Sequence, residues 1–495
     1  MRWPSLWQLV EKKQLLYLDY LFAEKVCPEG SEDEAAFVAA LMAHSRKGHI
    51  CMRAQDGAKP YPSIIEQCDD NFYLQKNYIY ETSVLEEVKR LLSYSSAASV
   101  EESSGPLTAE QKEAVKKAFH YPFSIITGGP GTGKSYTALQ IIAAFQKKEE
   151  AQIVICAPTG KAASLLESKC IKKVRSGTLH TILNVRTPLD FAKKVEQLPA
   201  TLVIVDECSM IDAALFSRLL SAIGPETHLV LMGDSDQLPA VESGSFFADL
   251  VEAAKEGYPI PYTNLSLCLR SDQSEILNLA AAIRKGEQNF YHHATELDPE
   301  TLWDEIKKNF PMPTSLKPES EILSKQMNHF RILSAMRKGP HGVDQINQMV
   351  ADRMLAAKKS HEYCPLPILI TRNDQQLGLF NGEMGFLVKA PSHEDDYAIF
   401  DSGRVFPSYL LPSFEYAYCL SVHKSQGSEF DKVILLIPDG SEYFGKELLY
   451  TAVTRAKKSL EIYASKEMIR TTLGQSSRKM SGLVKRLNSG FSEMG

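Results

Sequence analysis

No two of the nine cysteines in this 495-residue chain form a C-x-x-C pair. Without paired soft ligands, zinc and iron–sulfur sites are not expected, and scattered thiols suit a reducing compartment. Apolar runs of 18 residues are also missing, so no membrane-spanning helix is expected, and no membrane is expected among the partners. The opening stretch MRWPSLWQLVEKKQLLYL is interrupted by Glu11, Lys12 and Lys13, so a signal peptide is not expected either. There is no internal repeat, and no excess of positive charge: 55 Lys and Arg stand against 61 Asp and Glu, a net of −6. These deficits describe a cytosolic chain of about three or four domains. Its 44% apolar content is ample for large cores.

The negative charge is unevenly placed. Residues 1–105 carry 11 Lys and Arg against 16 Asp and Glu, a net of −5, which leaves −1 for the remaining 390 residues. By charge alone the first segment is a poor nucleic-acid binder, while the rest is neutral enough to hold a local basic groove.

Residues 93–105 contain six serines and end in Gly105-Pro106, the composition of a linker. Before it, LDYLFAEKV and DEAAFVAALMAHSRKG have helical periodicity, which predicts a mainly α domain over 1–105. After it, apolar β-branched runs at 123–127, 152–158, 201–207 and 228–234 alternate with helical stretches, the pattern of a parallel sheet wound with helices. A second set occurs at 330–336, 366–374, 431–438 and 459–465. Two α/β domains are expected, over 106–255 and 256–495. A small β-barrel is expected as an insertion at about 383–412, where short alternating runs are separated by glycine-containing turns.

The strongest local signal is SIITGGPGTGKSYTAL. Gly128, Gly129, Pro130, Gly131, Thr132, Gly133, Lys134 and Ser135 make the G-x-x-x-x-G-K-[ST] pattern between a buried strand and a helix. Glycines let successive backbone N–H groups curl around phosphate oxygens, and the helix adds its positive N-terminal end. Lys134 would neutralise the β- and γ-phosphates of ATP, and the Ser135 hydroxyl would ligate Mg²⁺. Downstream, TLVIVDECSM ends a strand with Asp206 and Glu207. Beside a phosphate loop these divide two jobs: Asp206 holds Mg²⁺ through water, and Glu207 activates the attacking water. The next strand ends in LMGDSDQLPAV, offering Asp234, Asp236 and Gln237 at the same sheet edge, with Gln237 placed to sense the γ-phosphate. Arg270 and Arg455 are the cations expected to reach the transferring phosphoryl group when the two α/β domains close on the nucleotide.

Six ordered segments carry a resemblance. GGPGTGKS, APTGKAA, GTLHTIL, VDECSMID, GDSDQLPAVESG, and SVHKSQGSEFDKVIL followed by YTAVTRAKKSL resemble the motifs of superfamily 1 DNA helicases, specifically the RecD branch, the α subunit of exodeoxyribonuclease V. The likeness spans 106–495 and, more weakly, the N-terminal segment, which is similar to a small partner-binding domain. It implies two RecA-like doubly wound domains, a small mainly α N-terminal domain and an SH3-like barrel in the second. It also implies an ATP-dependent 5′→3′ helicase on single- and double-stranded DNA, partnered by RecB- and RecC-like subunits in break repair and recombination. Residue by residue, it implies adenine contact by Gln111, and ribose and phosphate contacts by Glu429 and Gly427. Contacts to the γ-phosphate go to Gln237, Arg270 and Arg455. Thr159, Thr178, His180, His423 and Ser425 match positions near the single-stranded DNA track. One departure stands out: between His180 and Asp206, where the family carries a strand-splitting hairpin, only TILNVRTPLDFAKKVEQLPATLVIV is present, so any pin is short.

Two other functions compete. A nuclease needs a spaced acid followed by E-x-K, which Asp298 and Glu305-Ile306-Lys307 supply in form, on a segment that reads as an exposed helix. A regulatory clamp that grips single-stranded DNA without unwinding it fits the short pin; a stand-alone RecD-like helicase is the remaining alternative.

Overall fold

The computed structural model describes residues 2–53, 64–94, 106–147, 150–268, 274–287, 294–295, 299–374, 376–400 and 403–492. Three helices open the chain, Pro4–Glu11, Tyr17–Val26 and Glu32–Arg46. Ser31 and Glu34 start the third with a reciprocal capping box. Strands β1 (Cys51–Arg53), β2 (Ile65–Cys68) and β3 (Asn71–Leu74) then form an antiparallel sheet in the order β1-β3-β2. Helix Gln75–Ser93 comes next. Four helices and this small sheet make up the described part of the unit; the sheet was not expected, because strands of three or four residues are too short to register as an alternating pattern.

This N-terminal unit is not separate from the rest of the chain. Val84, Val88 and Leu91 on helix Gln75–Ser93 share one hydrophobic core with Phe123, Val203 and Leu219. Arg90 also donates to the carbonyls of Leu220 (3.0 Å) and Ile223 (2.9 Å) at the end of helix Ala213–Ser221. The serine-rich stretch after Tyr94 lies outside the described residues, so the expected linker is not described.

The first lobe is a six-stranded, wholly parallel sheet of β4 (Phe123–Gly128), β5 (Ile153–Ala157), β6 (Arg175–Thr178), β7 (Leu202–Val205), β8 (His228–Gly233) and β9 (Tyr262–Leu265). Its order is β6-β5-β7-β8-β4-β9. Helices cover both faces, with Ala109–His120 and Lys134–Phe145 on one and Ala213–Ser221 and Phe246–Lys255 on the other. The four expected strands are present, and β9 carries the lobe past the boundary expected at 255.

The second lobe starts with β10 (Ala294–Thr295) and β11 (Phe330–Ser334). The chain then leaves for β12 (Cys364–Ile370), β13 (Met384–Lys389), β14 (Tyr397–Phe400), β15 (Val405–Pro407) and β16 (Phe414–Tyr416). It returns as β17 (Cys419–Ser421), β18 (Phe430–Leu436) and β19 (Ala456–Tyr463). A parallel sheet runs β10-β19-β18-β11-β17, and an antiparallel one runs β15-β14-β13-β12-β16. The segment 366–374 was expected in the parallel sheet. Instead β12 pairs antiparallel with β13 and β16, so the antiparallel sheet begins at 364. All seven residues of β12 are buried, and a strand covered on both faces has the continuous apolar run of a parallel core strand.

The last segment overturns one further expectation. After helix Lys466–Leu473, residues 474–482 cross back out of the second lobe. Met480 O accepts from Ile50 N (2.8 Å), and Gly482 N donates to Glu81 Oε2 (2.8 Å). Helix Leu483–Ser492 then buries Leu483 and Leu487 in the first lobe's core. The chain's end therefore does not belong to the second α/β domain.

Candidate nucleotide site between the lobes

The phosphate loop leaves β4 at Gly128. A Cβ there would stand 2.8 Å from both Leu265 O and Thr132 Oγ1, so only glycine fits. Gly133 has φ +84° and precedes the helix that begins at Lys134. Thr132 Oγ1 donates to Gly129 O (2.8 Å), and Lys134 Nζ donates to Gly128 O (2.6 Å) and Gly129 O (3.1 Å). The ammonium thus sits inside the loop's curl, where a phosphate oxygen would exchange with those carbonyls. Ser135 is the next residue, at the helix start.

Asp206 and Glu207 stand beyond the end of β7, next to this lysine. Glu207 has a left-handed φ of +55°, and its N–H donates to Asp206 Oδ1 (2.8 Å). A non-glycine residue held there costs of order 1 kcal/mol or more, and such strain gathers at functional sites. Burial raises both carboxyl pKa values. Lys134 opposes the rise at Asp206; at Glu207 the neighbouring Asp206 adds to it, while Arg455 and Lys134 oppose it. A carboxylate made more basic by its surroundings is suited to take a proton from water.

Asp234 joins the lobes. It is 2% exposed, and its Oδ2 accepts from Gln237 Nε2 (3.2 Å) within the first lobe and from Tyr450 Oη (2.9 Å) of the second. The same hydroxyl would lie 3.2 Å from a Cβ at Gly129, so Tyr450 also faces the phosphate loop. Leu238 completes the seam, with its N–H donating to Thr451 Oγ1 (2.8 Å) and its carbonyl accepting from Gln426 Nε2 (3.1 Å). Sequence reasoning did not select Tyr450, Thr451 or Gln426. A usable signal was present, since Thr451 and Arg455 are four residues apart in YTAVTRA and lie close in a helical register.

Arg455 is 3% exposed, and among the described residues its hydrogen bonds go to neutral groups: the carbonyls of Thr451 and Ser428, and Thr454 Oγ1. Its charge nonetheless reaches Glu207, whose carboxyl it holds down against burial. Gln237 Oε1 is buried with no hydrogen-bond partner among the described residues, an acceptor at the same seam. Arg270 lies outside the described residues.

The remaining expected residues divide. Gly427 has φ +71°, and a Cβ on it would lie 3.7 Å from Thr159 Oγ1 and 4.0 Å from Glu207 Oε1, which brings three separate motifs together. Glu429 is 3.8 Å from Lys457 Nζ. Gln111 is buried, and both amide atoms are engaged: Oε1 accepts from Thr108 N (3.1 Å), and Nε2 donates to Thr132 O (3.2 Å). It therefore braces the loop from behind, and adenine contact would require breaking that brace. Thr159 and Thr178 cap the helices that begin at Gly160 and Leu179. His180 is exposed. Burial, with the Lys479 charge, lowers His423 to about 4, so it is neutral at physiological pH. Ser425 is fully buried, and its hydroxyl donates to Val422 O (2.7 Å), which removes that side chain from a direct DNA contact. Glu305 of the nuclease-like triplet pairs with Lys432 (2.5 Å) and Lys308 (3.0 Å) as a structural ion pair, and Asp298 lies outside the described residues.

Both sides of the cleft match known helicase parts. Residues 111–243 match an AAA domain, and residues 416–463 match a UvrD-like helicase C-terminal domain. The RecBCD enzyme subunit RecD of Mycolicibacterium smegmatis is 32% identical over 501 residues, covering 92% of this chain and 87% of that protein. The ATP-dependent RecD2 DNA helicase of Deinococcus radiodurans is 28% identical, covering 71% of this chain and 48% of that one. Among solved structures, Bacteroides Pif1 helicase in complex with ADP-AlF3 and single-stranded DNA aligns over 79% of this chain and 99% of its own, at 17% identity and a TM-score of 0.47. The class is that of ATP-dependent DNA helicases of superfamily 1. Within it, the chain belongs to the RecD family.

Proposed function

We propose that this chain is the 5′→3′ motor of a RecBCD-type helicase–nuclease, moving on single-stranded DNA beside RecB- and RecC-like subunits in break repair and recombination. The carrying observation is the Asp234 hub, which ties the first-lobe acid cluster to Tyr450 at the mouth of the phosphate loop. Lys134 would hold the transferring phosphate, Glu207 would accept the proton of the attacking water, and Arg455 would meet charge that develops on the phosphoryl oxygens. The donor set suits Mg²⁺: a hydroxyl at Ser135, a carboxylate at Asp206, and the open Gln237 Oε1 to receive a hydrogen bond from a water. When bound, the ion supplies positive charge to the phosphate oxygens. Hydrolysis would loosen the seam at Leu238, and the lobes would shift along the strand.

Polarity rests on the family likeness. A streptavidin-displacement assay on end-biotinylated oligonucleotides tests it: displacement should occur from the 3′ end, and preferential displacement from the 5′ end overturns the reading.

One observation favours a weaker unwinding engine. Residues 183–201 are all described and contain no strand; their short 3-10 turn is pinned where Arg218 donates to Asp190 O (3.0 Å) and Lys193 O (3.1 Å). A motor without a hairpin here would translocate well and separate strands poorly unless its partners split the duplex.

The N-terminal unit would supply the partner contact. Leu16, Tyr17 and Leu18 are consecutive and each about half exposed, at 48%, 51% and 54%. Three adjacent apolar side chains left in water suit a protein surface. Co-purification from native extract should recover two larger subunits, and Leu18→Glu should release them.

A further inference from the structure

The turn Arg46-Lys47-Gly48-His49, at the end of the third N-terminal helix, meets two distant parts of the chain. Gly48 O accepts from Gly244 N (2.9 Å), in the loop after Gln237. A Cβ on Gly48, whose φ is +89°, would lie 2.7 Å from Lys479 Nζ and 3.2 Å from Glu242 O. Lys479 Nζ donates to Lys47 O (2.7 Å), and Met480 N donates to His49 Nδ1 (2.9 Å). Because Nδ1 accepts, the ring proton of His49 is on Nε2, a donor with no partner among the described hydrogen bonds. The His44 ring is 5.5 Å from that of His49.

Among the described residues, neither Lys47 nor Lys479 has a carboxylate within ion-pair distance. The charges acting on His49 are His44, Lys479 and Lys47, all of one sign, and burial with these neighbours lowers it to about 4. Lys479 is itself lowered by burial, with no acid to offset it, and its charge reaches His423. Lysines with long, flexible stems gain little from gathering around one turn unless an anion completes the group.

We propose that Lys47, His49 and Lys479 form a phosphate-binding clasp on the single-stranded DNA track, reaching the strand where it passes the 242–244 loop and His423. The inference rests on the helicase reading and deepens it. The acidic N-terminal unit, unsuited to nucleic acid by its overall charge, would present a locally basic turn to the strand, and the crossing segment 474–482 would add a lysine from the other end of the chain. The ligand is the sugar–phosphate backbone, so the contact would be indifferent to sequence.

The full-length chain is titrated with a fluorescent mixed-sequence oligonucleotide over a salt series. For a single strand the slope of log K against log salt falls by ~0.7 for each phosphate contact removed. Lys47→Gln, on an exposed side chain, should lower the slope by about that amount, and Lys47→Gln with Lys479→Gln by about twice as much. Lys479→Arg, which keeps the charge, should restore the parent slope. Unchanged slopes in Lys47→Gln and in the double variant overturn the clasp, while a parent chain with no salt-dependent binding would instead sink the helicase reading. If Lys479→Gln does not fold, as judged by its thermal transition, Lys47→Gln alone still decides the matter: an unchanged slope overturns the clasp.

Discussion

At Lys134 and Glu207 the proposed chemistry hangs on single atoms. Lys134→Ala removes the cation from the phosphate loop and should abolish hydrolysis. Glu207→Gln keeps the shape and the hydrogen-bonding capacity but cannot accept a proton. It should bind ATP like the parent and turn over about 10²–10⁴-fold more slowly, the usual contribution of a positioned base. Parent-like turnover in a malachite-green assay would refute the assignment. Asp249 is a different case. It is 4% exposed, accepts from Ser481 Oγ (2.8 Å), and is pushed from its ordinary 3.8 up to about 7, chiefly by burial. Its folded form holds a proton that the unfolded chain has lost, so stability falls as pH rises from 4 to 7, by up to ~4 kcal/mol. Asp249→Asn removes that dependence. Its advantage in urea midpoint over the parent should grow across this range and stay level above it; parallel curves would show that burial does not protonate the carboxyl.

Between elements, the seam from 234–238 to helix Gly445–Val453 is the informative place. Thr451→Val keeps the side-chain volume and removes the acceptor for Leu238 N. A buried N–H left without a partner costs about 1–3 kcal/mol. The variant should therefore either unfold at a lower temperature or relax the seam and lose DNA stimulation of its ATPase. If both quantities match the parent, the seam transmits nothing. This seam also marks how far the sequence could be read. The loop from Gly128 to Ser135, Asp206-Glu207 and Arg455 could be singled out in the sequence because the chemistry proposed for them demands particular residue types at fixed local spacing. Tyr450, Thr451 and Gln426 were not, because their partners are up to 216 residues away and a buried hydroxyl or amide carries no local signature. Strand β12 misled for a related reason: apolarity reports burial on both faces, not the direction of the neighbouring strand. Ser425 sits inside a recognisable motif, and only packing reveals that its hydroxyl turns inward.

For the whole molecule, the shared core predicts that the N-terminal unit and the first lobe stand or fall together. Leu487 is fully buried against that core, so Leu487→Ala should cost about 2–5 kcal/mol, although it lies more than 200 residues beyond the first lobe's last strand. A chain starting near Gly105 would lose Val84, Val88 and Leu91 from the same core, and it should be less stable than the parent as well as unable to recruit partners. If its thermal midpoint equals the parent's, the N-terminal unit is an independent docking module and the shared core is unimportant. The crossing segment 474–482 also alters how motion should be watched. A dye pair at Ile171 and Ser489 joins opposite ends of the motor's sequence, yet both dyes would ride on the same rigid body and give a flat transfer signal. A pair at Ile171 and Tyr443, closer in sequence, would report each stroke.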